Sequence, residues 1–196
     1  MTLDEIVDIM GKGANEGLLT VRLHTGDTAL YSAISEQIER LQALGIAYEV
    51  VPGVSSALAG AAVLGQELTI PEISQTVIFT RLEGRTPVPE PEGLAHLARH
   101  RASMVVFLSV SMIDQVVREL REGYGEDTPV VVIEKATWRD ERVIRGTLKD
   151  IAAKVASAHV QKTALIYVGD ALKASERPTG KESRLYHKDF SHGRRK

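Results

Sequence analysis

LLTVRLHTGDTALYSAISEQIERLQALGIAYEVVPGVSSALAGAAVL, residues 18–64, decides the fold class. Leu18 to Leu23 is apolar and rich in strand formers. His24-Thr25-Gly26-Asp27 then turns the chain. Thr28 to Ala43 reads as a helix, with Ile34, Ile38 and Leu41 on one stripe and Gly45 just past its end. Ile46 to Val51 repeats the strand pattern and stops at Pro52-Gly53. Ser55 to Leu64 follows as a helix of small residues that permits close packing. Strand, turn and helix, twice over, is the signature of an α/β protein with a parallel sheet.

The pattern extends in both directions. Upstream, Thr2 and Glu5 form a capping box before a helix whose apolar face is Leu3, Ile6, Val7 and Met10, and Gly11 and Gly13 are expected to stop it. Downstream, LTIPEIS (68–74) reads as a crossover between lobes. Strands are predicted at 76–80, 104–109, 129–134, 141–146 and 163–168. Helices are predicted around 93–99, at 112–121 and at 147–158, the last with Thr147 and Asp150 as its box. Residues 81–91 form a polar, proline-rich loop. The expected organisation is the remainder of an N-terminal α/β lobe at 1–70, a C-terminal α/β lobe at 71–175, and a basic tail at 176–196. Only two strands precede the crossover, and a parallel sheet of two strands cannot bury itself. The sequence thus leads us to expect a first lobe that is truncated at its N-terminus.

Composition narrows the function. The 196 residues are 43% hydrophobic and 26% charged, as in ordinary globular proteins. There is no cysteine, which excludes disulfides, thiolate metal sites and a cysteine nucleophile. No apolar run reaches the roughly 18 residues of a membrane span, and MTLDEIVDIM does not resemble a secretory signal. The formal charge of −2 argues against a nucleic-acid-binding surface, so neither nucleic acid nor membrane is an expected partner. From Arg177 to Lys196, seven Lys or Arg face Glu182 and Asp189, giving +5 and leaving −7 for the rest; this reads as a solvated tail.

Four clusters hold the candidate chemistry, each expected just past a strand. In open α/β sheets ligands bind beyond the carboxyl ends of strands. At Thr25-Gly26-Asp27, the glycine allows close backbone approach, and Asp27 either caps the next helix or accepts hydrogen bonds from a ligand. At Pro52-Gly53-Val54-Ser55-Ser56, two hydroxyls stand at a helix start, where free amides suit polar ligand groups. In TRLEGRTPVPE (80–90), Arg81 and Arg85 are candidates to clamp carboxylates, against the alternative of a solvated loop with a local Arg–Glu pair. In EKATW (134–138), Lys135 is a further cation and Trp138 the only tryptophan. His96 and His100 are spaced i, i+4, but no acidic third ligand follows, so no metal site is expected. No Walker or Gly-x-Gly-x-x-Gly motif occurs.

VRLHTGDTALYSAI, VPGVSSALAGAA, LTIPEISQTVIFTRLEGRTPVPE, VFLS and TPVVVIEKATW together resemble the tetrapyrrole (corrin/porphyrin) methylase family, and most closely its precorrin-4 or cobalt-precorrin-4 C(11)-methyltransferase branch. The likeness covers roughly residues 3 to 172, and TRLEGRTPVPE is its branch-specific part. It implies a two-lobed α/β enzyme, a cytoplasmic homodimer, with S-adenosyl-L-methionine held between lobes and methyl transfer to carbon 11 of precorrin-4 or cobalt-precorrin-4 in cobalamin biosynthesis. Carried over residue by residue, Thr25, Gly26, Asp27 and Leu30 lie at the family's first cofactor turn, and Ser55 and Ser56 at its second. Leu108 matches an apolar cofactor-wall position, and Ala136 and Ala164 match backbone contacts of the second lobe. The substrate's acetate and propionate groups need a cationic rim, for which Arg81, Arg85 and Lys135 are the candidates. Thr28 stands where the family usually has proline, and Ser32 where it often has glycine. The family's opening strand and glycine-rich loop have no counterpart before Leu3. Two alternatives follow: a sibling methylase with another substrate, or a non-catalytic remnant or dimerisation module.

Overall fold

A computed structural model describes residues 1–175, and the predicted basic tail lies outside the described residues. The chain divides into two compact units, Met1–Leu58 and Ala59–Lys196. Residues 59–70, expected in the first lobe, group with the second unit.

In the first unit, helix α1 (Leu3–Asn15) opens with the expected capping box. Thr2 Oγ1 accepts the Glu5 N–H at 3.2 Å, and Glu5 Oε2 accepts the Thr2 N–H at 2.7 Å. The helix is not stopped by Gly11 and Gly13. Gly13 faces the Thr20 side chain so closely that a Cβ would overlap it, whereas a Cβ on Gly11 would make only ordinary contact with Ile46 and Leu44. Helix α2 (Ile34–Ala43) starts six residues later than predicted, because Ala33 takes a left-handed conformation (φ 53°) and interrupts the helical hydrogen bonds before it. Val7 and Met10 of α1 pack on Leu41 of α2, with Leu3, Ile6 and Ile46 around them.

The predicted strands at 18–23 and 46–51 are not strands. Neither segment forms a ladder, and Leu19, Val21, Leu23 and Val51 are exposed. A cavity of about 680 Å³, lined by Leu18–His24, Ile46–Gly53 and the inner faces of α1 and α2, lies between them. Sequence preference for the strand conformation is realised only when a neighbour supplies the hydrogen bonds. These two segments do not supply them to each other.

Helix α3 (Ser56–Val63) leads into the second unit, whose five-stranded sheet matches the predicted strands within two residues. The strands are β1 (Val77–Arg81), β2 (Ser103–Phe107), β3 (Pro129–Glu134), β4 (Arg142–Thr147) and β5 (Ala164–Val168), in the order β1-β2-β5-β3-β4. β1 and β2 are parallel, with Arg81 level with Phe107. β5 is antiparallel to both β2 and β3, and β4 is antiparallel to β3. It follows that β1, β2 and β3 all point the same way. Their carboxyl ends share one edge of the sheet with the amino ends of β4 and β5.

The middle strands are apolar on both faces, as burial on both sides requires. Helices α4 (Leu94–Ala98), α5 (Ile113–Leu120) and α6 (Ile151–Ser157) cover the sheet. Helix α5 buries Ile113, Val116, Val117 and Leu120, an i, i+3, i+4, i+7 stripe. They join Met104, Val106, Val130, Val132 and Ile166 in one core cluster. Before α6, Asp150 Oδ1 accepts the Thr147 N–H at 2.8 Å, and Thr147 Oγ1 accepts from Lys149. Thr147 and Asp150 therefore organise the turn but do not form the predicted capping box: α6 begins at Ile151, with Asp150 as its N-cap and no side-chain cap bond.

Tyr124 is buried beside this core and donates to the Ala102 carbonyl at 2.5 Å. Burial, with Asp170 nearby, pushes its phenol up to about 12. In the unfolded chain the phenol ionises at its usual 10, so above that pH the unfolded state loses a proton that the folded state keeps. Stability should therefore fall as pH rises from 10 towards 12. Urea titrations across this range should show the fall, with a shallower slope for Tyr124→Phe.

Candidate functional site

Within the first unit, the two glycine turns are held together by one carboxylate. Asp27 Oδ1 accepts the Ala29 N–H at 2.8 Å, and Oδ2 accepts the Gly53 N–H at 3.0 Å. Asp27 thus closes its own turn and cross-links the 25–29 and 52–56 turns. The turns touch backbone to backbone: a Cβ on Gly53 would overlap the Gly26 carbonyl. Gly26 has φ 71°, in the region that favours glycine. Leu30 closes the first turn by donating to Asp27 O at 3.3 Å. Buried Ser55 accepts the Ala57 N–H at 3.3 Å, so its hydroxyl starts α3. Ser56 and Thr25 are exposed, and Ser56 N lies 3.7 Å from where a Gly26 Cβ would stand. The sequence analysis left Asp27 between capping the next helix and ligand binding. It does not cap that helix, which starts at Ile34 with Ala33 as its N-cap and no side-chain cap bond. Its oxygens instead close the 27–29 turn and reach Gly53.

In the second unit, the shared edge of the sheet gathers the rest. The 81–89 loop leaves β1, Leu108 follows β2, Lys135 and Ala136 follow β3, and Ala164 begins β5. Lys135 N donates to Thr163 O at 2.8 Å, which holds the β3 and β5 ends side by side. Four residues at this edge have left-handed backbones: Leu108 (φ 53°), Lys135 (52°), Thr137 (71°) and Thr163 (54°). Such strain in non-glycine residues gathers at ligand clamps. Leu108 is 68% exposed, although its neighbours Phe107 and Ser109 are buried. Trp138 is also exposed.

The three cationic candidates differ in how they are used. The Arg81 guanidinium donates to the carbonyls of Leu82, Thr86 and Pro87 at 3.3, 3.0 and 2.9 Å, and so closes its own loop. Lys135 pairs with Asp140; the hydrogen bond holds the amine above its usual range and the carboxyl below its own. Arg85, at the exposed tip of the loop, has no hydrogen bond or ion pair among the described residues. Glu134 is buried at the end of β3 and accepts from Arg142 Nε at 2.6 Å, while the same guanidinium donates to Ala158 O at 2.9 Å. The ring of His96 faces the backbone and side chain of Glu90. Among the described residues no three His, Cys, Asp or Glu side chains gather as metal ligands.

Sequence reasoning missed Ser109. It is fully buried, its Oγ donates to Phe107 O at 2.6 Å, and the same oxygen accepts the Leu82 N–H at 2.9 Å. Its only signal in the sequence is a polar residue closing the apolar run VVFL.

In the second unit, loops that follow three strands pointing the same way form the kind of rim at which α/β proteins bind ligands. The comparisons with known proteins narrow this class. The model of the tetrapyrrole (corrin/porphyrin) methylases matches residues 1–152. A cobalt-precorrin-4 C(11)-methyltransferase of Methanocaldococcus jannaschii is 55% identical over 197 residues, covering 100% of this chain and 75% of that protein. A crystallised cobalt precorrin-4 methyltransferase, a cobalamin biosynthetic enzyme, superposes with a TM-score of 0.85 at 48% identity, covering 88% of this chain and 72% of that one. A uroporphyrin-III C-methyltransferase from Thermus thermophilus, solved with S-adenosyl homocysteine, superposes with a TM-score of 0.72 at 26% identity, covering 87% and 74%. The chain belongs to the tetrapyrrole methylase family.

Replacing Gly53 by alanine should destabilise the first unit by about 1–3 kcal/mol, because its Cβ must displace backbone. Asp27→Asn should cost less, since its amide oxygen still accepts one of the two N–H bonds. Denaturant midpoints of the two variants test this ordering.

Proposed function

We propose that this chain transfers a methyl group from S-adenosyl-L-methionine to carbon 11 of precorrin-4 or cobalt-precorrin-4 in cobalamin biosynthesis, as a cytoplasmic homodimer. The observation that carries the reading is the 55% identity, over the whole chain, to a protein of that name. The fold likeness at a TM-score of 0.85 agrees with it. No helix among the described residues is long and apolar enough to cross a membrane.

The residues present fit the cofactor's chemistry. The Thr25, Gly26 and Asp27 amides have no hydrogen-bond partner among the described residues, and a glycine at 26 leaves that backbone open to a polar group. Thr25, Gly26, Asp27, Leu30, Ser55 and Ser56 are our assignment for the amino acid and ribose portions, with Asp27 acting by fixing the turns. Leu108 offers an exposed apolar side chain, and Ala136 and Ala164 are small half-buried residues that leave backbone accessible. When bound, S-adenosylmethionine supplies a methyl group already activated on sulfonium sulfur. The protein then has to align it with an electron-rich ring carbon and exclude water. Arg85 is the first candidate for the substrate's carboxylates, and Lys135 can exchange Asp140 for a substrate carboxylate. Arg81 supports the loop.

Incubation with S-adenosylmethionine and either form of precorrin-4 should give a product heavier by one CH2, with the new methyl on carbon 11 by NMR. A different regiochemistry would make the chain a sibling methylase, and no transfer would reject the reading. Arg85→Gln should raise the KM for the macrocycle about tenfold, the worth of one charge-assisted contact, without changing S-adenosylhomocysteine affinity. Light scattering of the purified chain tests the homodimer.

A further inference from the structure

We propose that Ser109 and Arg81 are positioning residues that fix the 81–87 loop from its two sides, so that Arg85 is presented to the carboxylates of a macrocyclic substrate. The proposal rests on the polycarboxylate reading above and names a pair of residues that do not themselves touch the substrate.

The geometry begins in the sheet. β1 and β2 end level, Arg81 beside Phe107, so the chains leave the sheet next to each other. One residue on, the Leu82 side chain turns into the core and is 4% exposed. Its N–H is past the last rung of the ladder and needs an acceptor within the protein. Ser109 supplies it: the Oγ accepts the Leu82 N–H at 2.9 Å and its own O–H donates to Phe107 O at 2.6 Å. Both bonding directions of the hydroxyl are thus used. The turn that sends Ser109 inward also leaves Leu108 left-handed and exposed at the same rim. Ser109 is therefore the anchor at the entrance of the loop.

Arg81 is the anchor across it. Its guanidinium spans from Leu82 O to Thr86 O and Pro87 O, and Gly84 N adds a long contact to Thr86 O at 3.5 Å. All the Arg81 hydrogen bonds go to carbonyls of its own loop, so its charge is directed inward. Between the two anchors only Glu83, Gly84 and Arg85 remain exposed with no anchoring bond from their side chains. A loop closed at both ends has one shape, and in that shape Arg85 is the cation offered outward.

The consequence is an energetic coupling between a buried hydroxyl and an exposed guanidinium that do not touch. A double-mutant cycle reads it directly. The probe is uroporphyrin, a stable macrocyclic polycarboxylate, bound to the full chain and followed by its own fluorescence anisotropy. Ser109→Ala leaves the Leu82 N–H buried without an acceptor and should speed hydrogen exchange at that amide at least tenfold. It should weaken uroporphyrin binding about tenfold in the wild-type background and less than about twofold when Arg85 is already Gln. If Ser109→Ala does not fold, Arg81→Gln releases the other anchor from the exposed side and runs the same cycle.

Equal losses in both backgrounds would mean that the two sites act independently and would overturn the proposal. So would unchanged binding despite faster exchange at Leu82, or no uroporphyrin binding by the wild-type chain. Methyl transfer to precorrin-4 by the wild-type chain is measured separately. Coupling without transfer would reject the proposed reaction and leave the loop assignment standing.

Discussion

The arrangement of the second unit depends on β5 running backwards between β2 and β3. An antiparallel strand at the centre of a sheet forces its two neighbours to be parallel to each other, even though they share no hydrogen bond. β1 then adds to β2 in the same direction. Three carboxyl ends and the loops that follow them are thereby brought to one edge. If β5 were removed, Leu108 and Lys135 would have no common reference, because Thr163 O is what holds Lys135 N and Val106 is level with Ile166. Burial on both faces secures β5: Ile166, Tyr167 and Val168 are all fully or almost fully covered. Burial also raises the Tyr167 phenol well above its usual range, which keeps it neutral.

The two units differ in how far their sequence determines them. The second has alternating strands and helices with enough partners for each, and its five strands and three helices fall where periodicity places them. Its only shifts are at element ends, where the last hydrogen bond decides. In the first unit the capping box at Thr2 and Glu5 is readable because it is wholly local. The segments 18–23 and 46–51 have the composition of strands but form no ladder, because pairing is a property of two segments and not of one. Glycine is ambiguous for the same reason. Gly11 and Gly13 look like stop signals in the sequence, but the neighbours they face, Ile46 and Thr20, lie in another part of the chain.

The site shows a similar division. The turns at Gly26 and Gly53 were legible as turns, since glycine past an apolar run breaks the pattern. The strands expected before them did not form, and the helix expected directly after Asp27 starts only at Ile34. The roles of the site's charged side chains were not legible. Arg81 and Arg85 are four residues apart in one loop and chemically identical, yet one is spent on carbonyls and the other has no partner among the described residues. Nothing local distinguishes them, because the difference arises from how the loop closes. Asp27 is a related case. The sequence permits a cap or a ligand contact, and the fold adds a third use by placing Gly53 N within reach of the second oxygen.

The Arg81 cradle has a kinetic meaning as well. Ordering a flexible loop at the moment of binding costs roughly 1–2 kcal/mol of backbone entropy for every residue fixed. A loop already tied by three carbonyls to one guanidinium meets that cost during folding instead. If the proposed contact with Arg85 is made, an incoming macrocycle would find the tip in its final shape, and capture would require no rearrangement and could follow diffusion. Association and release would also occur through the same geometry. A product that differs from its substrate by a single methyl group would be let go by that rigid rim about as readily as the substrate was taken up.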